Sequence, residues 1–301
     1  GMLGKQDNCQ VAVSVSLACD QGSIPVAWQL YLPQDWAQDA ERRKRTGVPE
    51  SVRFATKTQI ALHQLRTLLS EGAPRHCVLA DAGYGVDTAF RQALSDMGLH
   101  YAVGVTSAVV VWPPGVEPLP PETYSGKGRP PVTPRRTAQL QPMSVKALAL
   151  SLPAQAFQTI SWREGTNAPL TGRFAAVRVR HAGGNAGKAS LRPQEWLLIE
   201  WPVEQAEPVK YILSTLPEST ALNDLVSCAY QRWRIEREYQ DLKQDFGLGH
   251  YEGRGWRGFH HHASLSIAAY AFLMSERLIA DKPAGGKKNF IERQVPAVPQ
   301  D

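Results

Sequence analysis

Residues 76–105, HCVLADAGYGVDTAFRQALSDMGLHYAVGV, are the stretch that decides the fold. The short apolar run His76–Ala80 predicts a buried strand that ends at Asp81. Gly83 and Gly85 predict a loop after this strand, and Thr88–Met97 has the spacing of a helix, which Gly98 closes. Tyr101–Val105 then predicts a second strand. This strand, helix, strand order is typical of an α/β domain.

The sequence before this stretch predicts a β-hairpin and a helix. Gln10–Leu17 alternates apolar and polar residues, and Ile24–Leu32 is a second β-like run. Asp20–Ser23, with the sequence DQGS, predicts the turn between them. Thr56–Ser70 has apolar residues at helical spacing. Together these elements predict an α/β fold with a mixed sheet and flanking helices.

The character of the chain changes after residue 107. Eight prolines between Pro113 and Pro134 predict a linker, and β-like runs follow it. These runs predict an inserted β-rich subdomain at residues 108–217. Helical patterns return at Ala221–Phe246 and at about His260–Leu278. The predicted divisions are 1–107 and 218–281 for the two parts of the α/β domain, 108–217 for the insertion, and 282–301 for a flexible tail.

Composition excludes several classes of protein. The apolar runs are short and none approaches the ~20 residues that span a membrane, and the first ten residues lack the apolar stretch of a signal peptide. The four cysteines, Cys9, Cys19, Cys77 and Cys228, contain no C-x-x-C pair and are interpreted as reduced cytosolic thiols. We therefore predict a cytoplasmic protein with no membrane partner.

The basic charge is concentrated in one part of the chain. The whole chain carries +5, whereas residues 126–192 contain eleven Lys and Arg against the single acid Glu164. Such a block attracts phosphates and releases counterions on binding, so it favours contact with DNA, and Arg178 and Arg180 are its candidate phosphate ligands. A merely solvated basic surface is the alternative.

A charged stripe lies along the predicted helix Ala221–Phe246. At 100° per residue, Arg232, Glu236 and Lys243 fall within 40° of one another, at the edge of the apolar face. Glu238 falls on the side that points away from the apolar face. A carboxylate between two cations suits metal and phosphate handling, but on spacing alone an ordinary salt-bridge stripe is the favoured interpretation.

The residues themselves are more specific than their spacing. Arg232, Glu236 and Lys243 resemble the Y-R-E-K signature of cut-and-paste DDE transposases of bacterial insertion sequences, whose catalytic domain is RNase H-like. Leu79–Gly85 resembles the strand with the second catalytic Asp of that family, here Asp81. The stretches 247–254 and 258–262 resemble the segment that follows its catalytic Glu. The 155 residues between Asp81 and Glu236 fit the branch with a β-rich insertion.

The sequence departs from this family in two places. The Tyr of the signature would stand at position 229, which is Ala229, and Tyr230 lies one place, or about 100°, around the helix. The resemblance also begins after the strand that carries the first catalytic Asp, so we expect an N-terminally truncated chain that is inactive alone. Asp20 is an alternative third carboxylate, although its DQGS sequence is that of a turn.

The resemblance implies a site, a metal and partners. Asp81 and Glu236 would be catalytic and would hold Mg²⁺, which Mn²⁺ can replace. Arg232, Lys243, Tyr230, Arg178 and Arg180 would hold DNA phosphates. The partners would be double-stranded DNA, as transposon ends and target, and a second copy in a homodimer. The alternatives are another RNase H-like nuclease and a non-catalytic DNA-binding remnant of a transposase.

The triplet His260, His261 and His262 is interpreted separately. Adjacent residues on a helix point in different directions, so the three cannot bind one metal ion. We expect a packing role or contacts with the substrate backbone.

Overall fold

A computed structural model describes residues 9–120, 122–128, 135, 137, 140–163, 170–182 and 192–280. Its first element is the predicted hairpin. Strand β1 (Ala12–Cys19) pairs antiparallel with β2 (Gly22–Leu30), with a register shift between Val15 and Ser16. The two strands form a sheet of their own.

The second sheet is mixed and has eight strands. Its strands are β3 (Val78–Ala80), β4 (Tyr101–Val105), β5 (Val110–Trp112), β6 (Met143–Ser144), β7 (Gln158–Arg163), β8 (Leu170–His181), β9 (Glu195–Glu200) and β10 (Lys210–Ser214). The order is β3-β4-β10-β9-β8-β5-β6, and β7 pairs with β8. β3 and β4 are parallel, and the other pairs are antiparallel. The predicted α/β class with a mixed, RNase H-like sheet is confirmed.

Nine α-helices flank the sheets in the described part of the chain. They are α1 (Gln34–Gln38), α2 (Ala40–Thr46), α3 (Lys57–Ser70), α4 (Ala82–Gly85), α5 (Thr88–Asp96), α6 (Val145–Ser151), α7 (Leu222–Tyr230), α8 (Trp233–Gln244) and α9 (Trp256–Ala280). Short 3-10 helices lie at Ala154–Ala156 and Leu248–His250. Thr56 and Gln59 form a capping box at the start of α3, which explains the sharp beginning of the predicted helix.

The helices cover both faces of the large sheet. Alternate residues of a strand face opposite sides, and on β4 Val103 belongs to the core under α3 and α5, whereas Ala102 packs against α7. The first core also contains Val13 of the hairpin and therefore joins the two sheets. A third cluster packs α8 and α9 against the hairpin through Leu242, Tyr270 and Trp28.

The predicted helix Ala221–Phe246 is wrong in one respect, because it is two helices. The chain turns at Gln231 and Arg232 between α7 and α8. α7 packs on the large sheet and α8 packs on the hairpin. One straight helix would have to follow two separate sheets, so the break between α7 and α8 lets each segment bury its own apolar face.

The β-like runs after the proline-rich linker extend the large sheet. β10 pairs with β4 from Tyr211↔Val105 to Ser214↔Ala102, so the strands of residues 158–214 do not form a separate sheet. The division at residues 107 and 217 stays a prediction. The predicted flexible tail, 282–301, lies outside the described residues.

Several strand edges have no partner strand within the described residues, and those of β1 and β3 are two of them. β1 pairs with β2 alone, and β3 is the last strand of the large sheet and pairs with β4 alone. An unpaired edge presents a row of N–H and C=O groups that can accept a further strand.

Helix α9 combines a packed side with exposed apolar side chains. Ala263, Ile267 and Tyr270 are buried, whereas Leu265, Phe272 and Ile279 are exposed. By length and composition α9 could cross a membrane, which is weak evidence because core helices of soluble proteins pass the same test. The sequence analysis predicted no apolar segment long enough to span a membrane, whereas α9 meets that criterion by length and composition alone.

Candidate active site

Asp81 follows directly on β3 and caps the next helix. Its Oδ1 accepts a hydrogen bond from the backbone N–H of Gly83 at 2.9 Å, so Asp81 is the N-cap of the one-turn helix α4. The predicted loop at Gly83 and Gly85 is thus a short helix. The capping hydrogen bond fixes the orientation of the carboxylate through Oδ1, and Oδ2 takes no part in it. The side chain of Asp81 is exposed. This geometry holds a carboxylate ready for a ligand.

Two glycines set the position of this carboxylate. A Cβ on Gly85 would collide with the carbonyl oxygen of Gly104 in β4, and a Cβ on Gly104 would lie 3.1 Å from the amide nitrogen of Ala82. Helix α4 therefore lies directly on the backbone of β4, which only glycine permits at these positions. The glycine at position 85 thus allows the turn that follows Asp81 to pack directly against β4.

A buried charged network lies beneath the same turn. Arg91 of α5 is 3% exposed and donates a hydrogen bond to the Gly85 carbonyl. Glu195 of β9 is buried, and its Oε2 accepts a hydrogen bond from the Tyr101 hydroxyl at 2.8 Å. Burial raises the pKa of Glu195, and the charge of Arg91 acts against that rise. Arg91 thus ties the end of α4 to a carboxylate on a distant strand.

The sequence interpretation missed this network. The available signal was Arg91 itself, a charged residue between Phe90 and Leu94 on the buried side of α5. A charge at such a position is rarely left without a partner. The partner could not be inferred, because Glu195 lies more than a hundred residues further along the chain.

Glu236 and Arg232 form an ion pair at the start of α8. Arg232 Nη2 lies 2.8 Å from Glu236 Oε1, and the two side chains are 40% and 65% exposed. Pairs this exposed add at most about 1 kcal/mol to stability. Lys243, also exposed, lies two turns further along the same side of α8. The predicted stripe of two cations and a carboxylate is therefore a solvent-facing surface.

Glu238 corrects the predicted orientation of α8. The helical-wheel analysis placed Glu238 away from the core, but its side chain is 1% exposed and faces the hairpin. Its Oε1 accepts a hydrogen bond from the Ser16 hydroxyl at 2.9 Å, while Oε2 has no partner within the described residues. Burial raises the pKa of Glu238. The prediction failed because α8 packs on the hairpin rather than on the large sheet. The break between α7 and α8 turns α8, so a different side of this helix is buried.

A contact between two cysteines joins the strand of Asp81 to α7, the helix that precedes the helix of Glu236. Cys77 immediately precedes β3, and its thiol lies close to that of Cys228 in α7. This contact raises the pKa of Cys77 and lowers that of Cys228. All four cysteines are free thiols. The strand before Asp81 and α7, the helix before α8, thus pack together, although they lie far apart in sequence.

The described residues do not form a complete metal centre. No three His, Cys, Asp or Glu side chains among them are grouped as metal ligands. Asp20, the alternative third carboxylate, lies in the β1–β2 turn and is 86% exposed. It accepts a hydrogen bond from Gln231 Nε2 at 3.2 Å and lies 3.7 Å from Arg234 Nη2. Asp20 therefore contacts the junction of α7 and α8.

Tyr230 lies in the core rather than on the DNA-facing stripe. It is 8% exposed, its hydroxyl donates to Glu200 Oε2, and burial raises its pKa. Its ring packs edge-on against Phe174 at 5.3 Å. A phosphate-binding role for Tyr230 stays a prediction, which this buried position does not favour.

The guanidinium groups of Arg178 and Arg180 are engaged within the chain. Arg178 lies over the Trp196 ring at 5.0 Å and donates to the Gln194 carbonyl at 2.9 Å. Arg180 pairs with Glu117 at 2.7 Å, and its side chain is 14% exposed. Their proposed contacts with DNA stay a prediction. Other basic residues of this stretch, such as Arg129 and Lys188, lie outside the described residues.

The histidine triplet has packing contacts. His260 Nε2 accepts a hydrogen bond from the backbone N–H of Leu30 at 3.4 Å, which covers the outer edge of β2. His262 Nε2 lies 2.9 Å from the Gly247 carbonyl. The two rings therefore attach α9 to the hairpin and to the turn after α8.

Comparison with known families adds one match. The model of a family described as DDE superfamily endonuclease matches residues 1–169, which is more than half of the chain. The matched region contains Asp81 and ends before Glu236. No curated protein matches the chain.

Proposed function

Since the chain belongs to the DDE superfamily endonuclease family, we propose that it cuts and joins DNA as a transposase of the insertion-sequence type. Membership implies a nuclease that acts on DNA. Transposition, the finer activity, is supported by the Arg232, Glu236 and Lys243 arrangement. The observation that carries the proposal is the rigid presentation of Asp81, which Gly85, Gly104 and the α4 cap hold against β4.

Divalent metal ions fit the two carboxylates by their chemistry. Asp81 and Glu236 offer exposed carboxylate oxygens, the ligand type that Mg²⁺ and Mn²⁺ prefer. Bound there, Mg²⁺ would activate a water or a DNA 3′-hydroxyl for attack on a phosphodiester and stabilise the leaving oxygen. Asp81 and Glu236 are the residues that would hold it.

The neighbouring residues position the carboxylates and the DNA. Arg232 restrains Glu236 through their hydrogen bond. The other N–H groups of its guanidinium would donate to a phosphate oxygen. Lys243 forms no ion pair among the described residues and offers a further point charge on the same side of α8. These two cations would fix the register of the DNA backbone without reading its sequence.

A third carboxylate would come from a strand that pairs with a free sheet edge. The edges of β1 and β3 are both unpaired in the described chain, and one hydrophobic core joins their sheets. A strand that carries an Asp and pairs with β3 would bring that Asp beside Asp81. We further propose that the enzyme acts in the cytoplasm as a homodimer on double-stranded transposon ends.

A cleavage assay tests this proposal. The chain is compared with a version that carries an added N-terminal strand with an Asp, on labelled DNA with Mg²⁺ or Mn²⁺. We expect DNA binding by both and cleavage by the extended version alone. Asp81→Asn and Glu236→Gln in the extended version should abolish cleavage and retain binding, whereas the exposed control Glu71→Gln should retain both.

Two outcomes would contradict parts of the proposal. Normal cleavage by the 301-residue chain alone would remove the need for an added strand, and Asp20→Asn would then test Asp20 as the third carboxylate. Binding without cleavage by every version would favour the second candidate, a non-catalytic DNA-binding protein. That candidate is supported by the cationic stretch of residues 126–192, whose charge alone would attract DNA phosphates.

A further inference from the structure

Two adjoining cavities lie on the side of the hairpin next to α1, α2 and the start of α9. Their volumes are about 590 and 580 Å³, the size of pockets that take small molecules. Both are lined by Trp36, Thr46 and Arg254, and we call the two neighbouring cavities together the aromatic groove. The groove involves neither Asp81 nor Glu236.

The groove is cationic. Arg42 and Arg45 line its first part and Lys57 its second, and Arg254 lines both, whereas Glu252 is the one acidic residue among the described residues of the lining. Arg42 is paired with Asp39 at 3.1 Å. Arg45 and Arg254 are exposed and form no ion pair within the described part of the chain. An anionic ligand would therefore meet at least two unneutralised guanidinium groups.

Aromatic rings form the other component of the groove. Trp36, Tyr31, Tyr251 and Trp256 all line its second part. His260 packs behind Trp256 with ring centroids 4.4 Å apart, and His262 stacks on Tyr251 at 5.5 Å and 30°. These contacts hold two of the rings in fixed orientations, so they offer flat surfaces at little entropic cost. Orienting these rings is therefore a structural role for His260 and His262.

The wall that carries Trp36 and Arg45 is a fixed structure. Arg43 donates hydrogen bonds to the carbonyls of Ala37, Pro49 and Val52, at 3.3, 2.9 and 2.9 Å. One guanidinium thereby ties together the residues before and after α2. Because Arg43 serves this internal purpose, its neighbours Arg42 and Arg45 are the side chains presented to the groove.

The groove lies on the chain segment that follows the predicted catalytic helix. The 3-10 helix Leu248–His250 packs against α8, and Gly249 lies against Lys243. Tyr251 follows at once and lines the groove. A DNA strand whose phosphate contacts Lys243 could continue along this segment into the groove.

Cations beside flat rings match the chemistry of an unpaired nucleotide. A phosphate alone would not use the aromatic rings, and a base inside a duplex cannot stack on them until it leaves the helix. We propose that the aromatic groove binds an unpaired nucleotide of the DNA substrate, with its base on Trp36 and its phosphate on Arg45 and Arg254. The proposal rests on the proposed function for the identity of the substrate.

Binding measured without cleavage tests this site. The full 301-residue chain, in EDTA, is titrated by fluorescence anisotropy with a blunt duplex and with the same duplex carrying one unpaired terminal nucleotide. We expect the unpaired nucleotide to strengthen binding about tenfold, and Trp36→Ala to remove that gain. Arg45→Ala with Arg254→Ala should lower the slope of log affinity against log salt by about 0.7, for the one single-strand phosphate that both side chains hold. The controls Arg66→Ala and Tyr124→Ala, exposed and outside the groove, should change neither quantity.

A second readout protects the test against misfolded variants. With 2-aminopurine as the unpaired base, stacking in the groove should quench its fluorescence with the wild-type chain and with Trp36→Phe, but not with Trp36→Ala. Equal affinity for both duplexes together with no quenching would overturn the proposal. Asp81→Asn and Glu236→Gln should leave the quenching unchanged, so a failure of the catalytic proposal and a failure of the groove remain distinguishable.

Discussion

Arg232 and Glu236 are joined by a hydrogen-bonded ion pair across the first turn of α8, with 2.8 Å between Arg232 Nη2 and Glu236 Oε1. Both side chains are more than a third exposed, so the pair contributes little to stability. The same guanidinium can hold Glu236 in place and receive a phosphate oxygen. We therefore expect this ion pair to matter more for the proposed chemistry than for folding.

Arg232→Ala should separate these two effects. We expect the free energy of unfolding to fall by less than about 1 kcal/mol, while metal-dependent cleavage by the version that carries the added strand falls at least about tenfold. Urea denaturation and single-turnover cleavage measure the two quantities. A large loss of stability with normal cleavage per folded molecule would show that Arg232 is only a structural residue.

Glu238→Gln should make stability less dependent on pH. Burial raises the pKa of Glu238 above the ordinary value of 4.5, so the folded protein holds this proton more tightly than the unfolded chain. The wild type therefore loses stability as the pH rises from about 4.5 through the folded-state pKa, and below 4.5 the group contributes no difference. The variant avoids this loss, so its stability relative to wild type should rise with pH. Urea titrations at several pH values would refute this if the difference stayed constant.

The buried charges of Arg91 and Glu195 should be costly to remove from one side. Arg91→Met removes one of the cations that act on the buried Glu195 carboxylate, together with the hydrogen bond to the Gly85 carbonyl, and we expect a loss of about 3 kcal/mol. Adding Glu195→Gln should restore part of that loss, because the uncompensated charge is gone. Chemical denaturation of the single and double variants measures the coupling. Additive losses would show that the two side chains do not interact.

The double variant Arg178→Ala/Arg180→Ala tests the basic stretch. If both side chains contact phosphates, DNA binding should weaken, and the salt slope should fall by about 1.8 for two duplex contacts. Anisotropy titrations at several salt concentrations measure the slope, with Arg66→Ala as the matched control. Unchanged binding would show that these arginines serve only their contacts with Trp196 and Glu117.

Elements with a strong local pattern could be predicted from the sequence. The alternation of Gln10–Leu17, the turn at Asp20 and the helical spacing of Thr56–Ser70 all correspond to observed elements. These patterns depend on residues close together in the chain. The same holds for the i, i+4 pair of Arg232 and Glu236, which one helix brings together.

Features that depend on distant partners could not be predicted. The break between α7 and α8 follows from packing on two different sheets. Gln231 and Arg232 lie at this break, and neither is a residue type that predicts the end of a helix. The burial of Glu238 depends on Ser16, and that of Arg91 on Glu195. The pairing of β10 with β4 likewise joins segments separated by the proline-rich linker.

The central claim is that Asp81 and Glu236 hold one metal site. Fe²⁺ bound in place of Mg²⁺, with ascorbate and peroxide, produces radicals that cut the backbone close to the ion. The account predicts two cuts in the extended protein, one near Asp81 and one near Glu236, which Mg²⁺ suppresses and Asp81→Asn abolishes together. Cutting at only one of the two positions, or cutting that Mg²⁺ does not suppress, would contradict it.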